Sequence, residues 1–431
     1  MARKGLFGAR VAVAAMACAL AAAVVLAVLA EADGARATVP GNDPSGSIQQ
    51  QAHRGGLDPA LEQSLDTAFE ESFQESGAPG AIAAVRTPEG TWVGTLGVAN
   101  KASGKPMRAE MHHRIGSVTK TFTATLLLQA AARGQLSLDD TIGQYVEGIP
   151  NGDEITLRQM ADMSSGITSY TLDEQFQEDL FADPEAVWTP EELAQIGIED
   201  SPEFDPGDGW EYSNTNYVLL GMVLERVTGK PIGKLYRKGI IEPLGLRETS
   251  FPNASPAIPK PYARGYTLQG QSGGEPADAT NWNPSWGWSA GGMISTADDL
   301  LVYGRALGVG KGLRTKNALL PRERQAERLT SFLYGLPPNT ADRAYGLGLV
   351  DQRGWLGHTG ELPGYNTTLY YHPELRATAV VEVNSDIAVG DCPDDVPTLP
   401  DDPHDVPCSD PAGFLFGALS EELGKPFALE R

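Results

Sequence analysis

From Asp58 onward, apolar residues recur every fourth position at Leu61, Leu65, Phe69 and Phe73, predicting an amphipathic helix capped by Asp58 with Pro59 in its first turn. A helix with one apolar face belongs on a sheet. Strand patterns follow at once: Ala81 to Arg86, a reversal at Pro88-Glu89-Gly90, then Trp92 to Val98. After Gly116 the pattern turns apolar on nearly every side, with Phe122, Leu126, Leu127 and Ala130 on one side and Ala124, Leu128 and Ala131 elsewhere. Such a helix is expected inside the core.

From Ile155 to about Phe251 the periodicity is mainly helical, around Thr156 to Met163 and Asn216 to Thr228, with turn clusters at Ser164-Ser165-Gly166 and Pro206-Gly207. Strands are predicted again near Gly346 to Leu349, Thr367 to His372 and Ala377 to Val383, and a closing helix around Ala412 to Leu423. No internal repeat interrupts this order. The fold class it predicts is α/β plus all-α: an antiparallel sheet flanked by helices, with an inserted helical domain. The expected boundaries are 58–150 and 285–431 for the sheet domain and 151–284 for the mainly helical one.

The first residues change the picture of where this body resides. Arg3, Lys4 and Arg10 precede an apolar run from Val11 to Ala30, with small-residue cleavage candidates at Ala30-Glu31-Ala32 and Ala35-Arg36-Ala37. Residues 1–37 read as an export signal, with an uncleaved membrane anchor as the alternative. Residues 38–57 read as a flexible, polar spacer. Cys18 lies inside the apolar run and reads as a small apolar residue. The exported part then holds Cys392 and Cys408, an even pair in an oxidising compartment, which predicts a disulfide around an acidic insertion containing Asp394, Asp395, Asp401, Asp402 and Asp405. That spacing matches no EF-hand, so the insertion reads as a solvated surface segment.

Hydrophobic residues at 41% and charged residues at 21% fit an ordered globular chain, while the net charge of −23 disfavours nucleic acid and anionic membrane as partners. The partner expected instead is a small molecule or peptide, with membrane contact only if residues 1–37 stay attached. A monomer is expected.

Candidate chemistry begins at Ser117-Val118-Thr119-Lys120, where the chain enters the buried helix. Residues three apart share a helical face, so the Lys120 amine can reach the Ser117 hydroxyl, and a helix N-terminus offers an unpaired N–H to a developing oxyanion. By itself this pattern also describes a capping serine beside a surface lysine. Tyr212-Ser213-Asn214 precedes a helix with apolar Tyr217, Leu220, Leu224 and Val227, and alone it reads equally well as a helix cap. His358-Thr359-Gly360 lies in a strand-like stretch, where a glycine-flanked histidine alone marks a tight turn more often than a catalyst.

Taken together and in this order, the three motifs resemble the serine β-lactamase and penicillin-binding protein superfamily, in its branch of soluble D-alanyl-D-alanine carboxypeptidases and class C β-lactamases. The resemblance extends through Ile155 to Met160, Ser164-Ser165-Gly166, Glu211 to Leu220, Ser289 to Asp299, Tyr345 to Leu349 and Pro363-Gly364-Tyr365. It implies a β-lactamase/transpeptidase-like fold and an exported serine hydrolase that works through an acyl-enzyme on D-alanyl peptides, with no cofactor. Ser117 would be the acylated nucleophile, Lys120 its proton partner and Tyr212 the relay to the leaving amine. Asn214 would hold the substrate amide and face Lys120. His358, where many relatives carry Lys, would keep the edge of the site electropositive and join the serine and tyrosine network. Thr359 would contact a substrate carboxylate or carbonyl, the Glu361 N–H would complete the oxyanion hole, and Trp286 would line the pocket.

The pattern is broken in two places. Carboxypeptidases of the branch carry an Arg directly after Gly-Leu-Gly-Leu to grip a terminal carboxylate, whereas Val350 stands here. Glu361 replaces a frequent Thr or Ser and would repel a carboxylate unless Arg353 compensates. A β-lactamase, an esterase or an amidase for amine-bearing D-peptides therefore shares the same expectation. One rival is set aside, a nucleophile elbow at Gly270 to Gly274, which lacks the strand and helix it needs around Ser272. A non-catalytic, penicillin-binding envelope sensor stays as an alternative, against which the completeness of all three motifs argues.

Overall fold

The computed structural model describes residues 56–199, 201–271, 274–312, 318–393, 396–399 and 407–427. The predicted export segment, the spacer up to residue 55, Ser272 and the five aspartates of the acidic insertion lie outside the described residues. The strands are β1 (Gly80–Arg86), β2 (Thr91–Asn100), β3 (Lys105–Pro106), β4 (His113–Arg114), β5 (Tyr266–Thr267), β6 (Ala277–Asp278), β7 (Ile294–Ser295), β8 (Arg343–Tyr345), β9 (Val350–Gln352), β10 (Trp355–Leu362), β11 (Tyr365–His372) and β12 (Ala377–Val383). The helices are α1 (Pro59–Glu75), α2 (Thr119–Ala132), α3 (Leu157–Ala161), α4 (Glu174–Ala182), α5 (Pro190–Glu199), α6 (Asn214–Thr228), α7 (Ile232–Tyr236), α8 (Glu242–Leu244), α9 (Trp288–Gly291), α10 (Ala297–Val309), α11 (Arg322–Leu329) and α12 (Pro411–Glu422).

Among the described residues the main sheet has eight strands, ordered β3-β2-β1-β12-β11-β10-β9-β8. Every pairing is antiparallel. The first and last helices share one face of it. The Asp58 carboxylate accepts from the Ala60 N–H at 2.9 Å, Pro59 opens α1 as predicted, and Leu65 and Phe69 are its buried stripe. The ring of Phe416 from α12 packs edge-on against Trp355 of β10, with centroids 5.2 Å apart. On the opposite face lies α10, whose Gly304 admits Leu369 and Thr378 of the sheet. The sequence reading predicts no helix here, although Leu300, Leu301, Leu307 and Tyr303 form its buried side.

Helix α2 is buried on every side from Thr119 to Ala131. Its threonines tolerate this because their hydroxyls have partners: Thr121 pairs with the Tyr303 hydroxyl at 2.9 Å, and Thr123 donates to the Ser289 carbonyl at 2.7 Å. Each buried hydroxyl so satisfied avoids a desolvation cost of about 1–3 kcal/mol.

One strand expectation is corrected. Gly346 to Leu349 is the turn between β8 and β9, closed by the Gly346 N–H donating to the Leu349 carbonyl at 2.8 Å, with Gly348 at φ +69°. Its leucines are buried as strand leucines would be, which is why their pattern misleads. The expected cysteine pair is bonded in the structure, with a sequence separation of 16.

Candidate active site

Ser117 lies in a single 3₁₀ turn, Gly116–Val118, that runs directly into α2, one turn earlier than the sequence suggests. Lys120 therefore sits in the first turn of α2 and is wholly buried. Its Nζ contacts three oxygens: Ser117 Oγ at 2.9 Å, Asn214 Oδ1 at 2.6 Å and the Ala290 carbonyl at 2.9 Å. An ammonium has three N–H donors, so the charged form is fully satisfied here. A neutral amine has two N–H bonds and a lone pair. Two of these three oxygens can only accept, so in the neutral form Ser117 Oγ is the one among them that can give its proton to the lone pair. The geometry thus orients the amine as a base toward one specific oxygen.

Asn214 reaches this point because Ser213 caps α6, its Oγ accepting from the Asn216 N–H. Ser169 Oγ accepts from the Asn214 N–H at 3.0 Å, and Asn214 Nδ2 donates to Thr171 Oγ1 at 3.1 Å. With the side chain held at both ends, its oxygen is fixed on Lys120. Tyr212 presents its ring to the same amine, with Lys120 Nζ 4.8 Å from the ring centroid. The Tyr212 ring also meets Tyr345 edge-on at 6.1 Å and His358 at 6.2 Å.

The backbone donors converge through two glycines. Gly116 has φ +49°, and a Cβ there would strike the Glu361 N, while a Cβ on Gly360 would lie 2.9 Å from the Ser117 N and strike the Ile115 carbonyl. Only residues without side chains let β10 and the 3₁₀ turn approach this closely. The N–H groups of Ser117 and Glu361 are thereby brought side by side, a pairing suited to a developing oxyanion.

His358 departs from expectation. It is buried, its Nδ1 faces the Thr359 carbonyl and so carries the proton, and its Nε2 accepts from the Tyr345 hydroxyl at 3.0 Å. Burial, and secondarily the Lys120 charge, hold the imidazole down to about 3. The ring is neutral near pH 7 and supplies no positive edge, and its nitrogens are spent on Tyr345 and Thr359 rather than on Ser117.

Thr359 and Glu361 are half-buried residues on the same face of β10, flanked by buried His358, Gly360 and Leu362. Glu361 Oε1 accepts from Gln269 Nε2 at 3.0 Å, and the same nitrogen donates to Asp386 Oδ2 at 2.6 Å. Burial and then the charges of Asp386 and Asp410 push the Glu361 carboxyl well above the usual range, and burial pushes Asp386 up to about 7. Arg353 does not compensate. It occupies the turn before β10, at the far end of an eight-residue strand and about 20 Å along it from Glu361. Trp286 packs on Phe176 of α4, with centroids 6.4 Å apart, and its carbonyl accepts from the Tyr170 hydroxyl.

The sequence model of the Beta-lactamase family matches residues 65–395. The chain belongs to that family. Among its relatives is Esterase EstB from Burkholderia gladioli, 28% identical over 317 residues, covering 66% of this chain and 78% of the esterase. Among solved structures, a D-stereospecific amidohydrolase from Streptomyces sp. superposes with a TM-score of 0.68 at 35% identity, covering 77% of this chain and 95% of the amidohydrolase. The D-amino acid amidase from Ochrobactrum anthropi, complexed with D-phenylalanine, gives a TM-score of 0.70 at 25% identity, covering 85% of this chain and 99% of the amidase. This chain is a serine hydrolase of the β-lactamase and penicillin-binding protein superfamily, and its large antiparallel sheet flanked by helices is the fold of those neighbours.

Within this family member, the structure adds groups that motif reading did not weigh. The Ala290 carbonyl holds Lys120, and a backbone oxygen leaves no residue-type signal. Tyr345 supports both His358 and the Tyr212 ring, and its signal was present in the segment Tyr345 to Leu349 without a role attached. Ser169 and Thr171, which fix Asn214, stand in a polar stretch that reads as an ordinary loop.

Proposed function

We propose that the chain is an exported hydrolase acting as a monomer on amides and short peptides of D-amino acids, with Ser117 as nucleophile. The carrying observation is Lys120 Nζ at 2.9 Å from Ser117 Oγ, with the Asn214 and Ala290 carbonyl oxygens also on that amine. Ser117 Oγ bonds to the acyl carbon as its proton passes to Lys120. The C–N bond then breaks, and the proton leaves with the amine by way of Tyr212. Water next bonds to the acyl carbon, the Oγ–C bond breaks, and a proton returns to Ser117. The N–H groups of Ser117 and Glu361 stabilise the oxyanion at both stages. Asn214 keeps Lys120 aimed and offers its remaining N–H to the substrate carbonyl, and Thr359 borders the acyl group.

The choice of a D-aminoacyl amide over a peptide with a terminal carboxylate rests on Val350 and Glu361, which remove a cation and add an acid, and on the likeness to two D-selective amide hydrolases. Carboxypeptidase action on D-alanyl-D-alanine is the second reading, favoured by the order of the three motifs. Export rests on the sequence of residues 1–37, and a signal-sequence reporter fusion tests it. Activity is tested by turnover of D-phenylalanine amide, L-phenylalanine amide, a D-Ala-D-Ala peptide and nitrocefin, with Ser117→Ala as control. The highest kcat/KM is expected on the D-amide. A faster D-Ala-D-Ala peptide, or equal use of the L-amide, would sink this substrate assignment.

A further inference from the structure

Beside the oxyanion donors stand Glu361, Asp386 and Asp410, and among the described residues the charges that act on Glu361 are those of the two aspartates. Glu361 and Asp386 share a single Gln269 nitrogen, whose two N–H bonds are both consumed by them. Thr267 Oγ1 donates to Asp386 Oδ2 at 2.8 Å, which is the remaining side-chain support. Asp410 stands near as the cap of α12, its Oδ1 accepting from the Gly413 N–H at 2.7 Å.

Two observations point outward from this cluster to a ligand. Asp386 is 9% exposed; its Oδ2 takes the Thr267 and Gln269 bonds on the side of Glu361, the backbone N–H groups of Gly364 and Asp386 also favour its charge, and its Oδ1 makes no close hydrogen bond. Glu361 has one oxygen on Gln269, while Oε2 accepts nothing among the described residues and belongs to a side chain that keeps solvent contact. Two neighbouring carboxylates that share one amide nitrogen, with a Glu361 oxygen left open, are costly to ionise together without a cation. Among the described residues no three His, Cys, Asp or Glu side chains converge to hold a metal ion, so a hydrogen-bonding organic cation suits the site better.

We propose that Glu361, backed by Asp386 through Gln269, binds the free α-ammonium of the acyl donor and makes it a specificity determinant. This rests on the acyl-enzyme reading above. The α-nitrogen of an amino acid amide is attached next to its carbonyl carbon, and Glu361 supplies the N–H that meets the carbonyl oxygen. One residue thus meets both ends of the aminoacyl group, by backbone on one side and by side chain on the other. Burial and like charge keep a proton on the Glu361 and Asp386 pair, so an arriving ammonium displaces it and binding strengthens as that pair ionises.

The test compares D-phenylalanine amide with N-acetyl-D-phenylalanine amide on the wild-type chain, Glu361→Gln and Asp386→Asn. The wild type should favour the free amine by about 10- to 100-fold in kcat/KM, the worth of one charge-assisted hydrogen bond. Glu361→Gln should bring the ratio close to unity, chiefly through the KM of the free amine, and Asp386→Asn should lower it partway. The wild-type KM for the free amine should also fall as pH rises from 5 to 7, below the range in which the substrate's own α-amino group loses its proton, while that for the N-acetyl substrate stays flat. Fluorophosphonate labelling of each variant reports that it is folded and competent for acylation. An unchanged ratio in a labelled Glu361→Gln, or a wild type that prefers the acetylated amide, overturns the proposal while leaving the acyl-enzyme reading intact. A wild type that neither labels nor turns over either amide defeats that reading and this proposal with it.

Discussion

Replacing Gly360 by Ala tests the convergence of the two backbone donors. The new Cβ would lie 2.9 Å from the Ser117 N and 3.0 Å from the Ile115 carbonyl carbon, and nearer still to the Ile115 oxygen. Carbon at ordinary contact stands about 3.5 Å or more away, so the 3₁₀ turn must retreat from β10 by at least about half an ångström. That retreat separates the Ser117 and Glu361 N–H groups. Loss of one oxyanion donor lowers kcat by roughly 10²- to 10³-fold, or about 2.7–4 kcal/mol of barrier. The appropriate control is Gly291→Ala, where the nearest atoms to a new Cβ are at 3.9 Å and ordinary contact suffices. Stopped-flow acylation by a p-nitrophenyl ester, alongside thermal unfolding, separates the two effects. We expect Gly291→Ala to acylate at the wild-type rate, and Gly360→Ala to be slowed at least about 100-fold while still folding cooperatively. Acylation of Gly360→Ala within a few-fold of wild type would refute the assignment of these two donors.

Lys120→Met keeps the length of the side chain while removing the amine, and the loss of a positioned base should lower the acylation rate by about 10²- to 10⁴-fold with little change in KM, as measured by burst kinetics. Burial pushes the Asp162 carboxyl up to about 6 from its ordinary 3.8, so the folded state holds a proton that the unfolded chain releases. Its contribution is full below pH 4 and is lost as pH rises through 6, about 3 kcal/mol over the two-unit window, and urea unfolding of Asp162→Asn should show that slope removed. Opening the Cys392–Cys408 bridge by a double Ser substitution should lower stability by about 3 kcal/mol, from the loop-closure entropy of a 16-residue separation, read as a fall in urea midpoint.

The sheet and its first helix were legible because burial on one side leaves a period in the sequence. The buried positions Leu65 and Phe69 of α1, and the β1–β2 reversal at Gly90, carry that signal directly. The turn at Gly346 to Leu349 did not, because its leucines are buried by packing unrelated to strand geometry. In the site, Ser117, Lys120 and Asn214 were legible from residue type and order, and the structure brings them together within hydrogen-bonding distance. His358 was legible as a member of the cluster but not in its charge. Its neutral state follows from burial and from a Tyr345 hydroxyl thirteen residues upstream, neither of which a motif expresses. Arg353 appeared a plausible partner for Glu361 by sequence distance, and an extended strand converts that distance into a wide gap. The Gln269 bridge joins Glu361 to Asp386 across 92 and 117 residues, and no local pattern foretells such a contact.

The central claim is that Ser117 carries the acyl group. Intact-mass analysis of the chain after brief exposure to a fluorophosphonate or penicillin, followed by peptide mapping, tests it most directly. The account predicts a single adduct on the peptide containing Ser117, absent from Ser117→Ala and formed much more slowly in Lys120→Met. An adduct on any other residue, or labelling of Ser117→Ala at the wild-type rate, would contradict it.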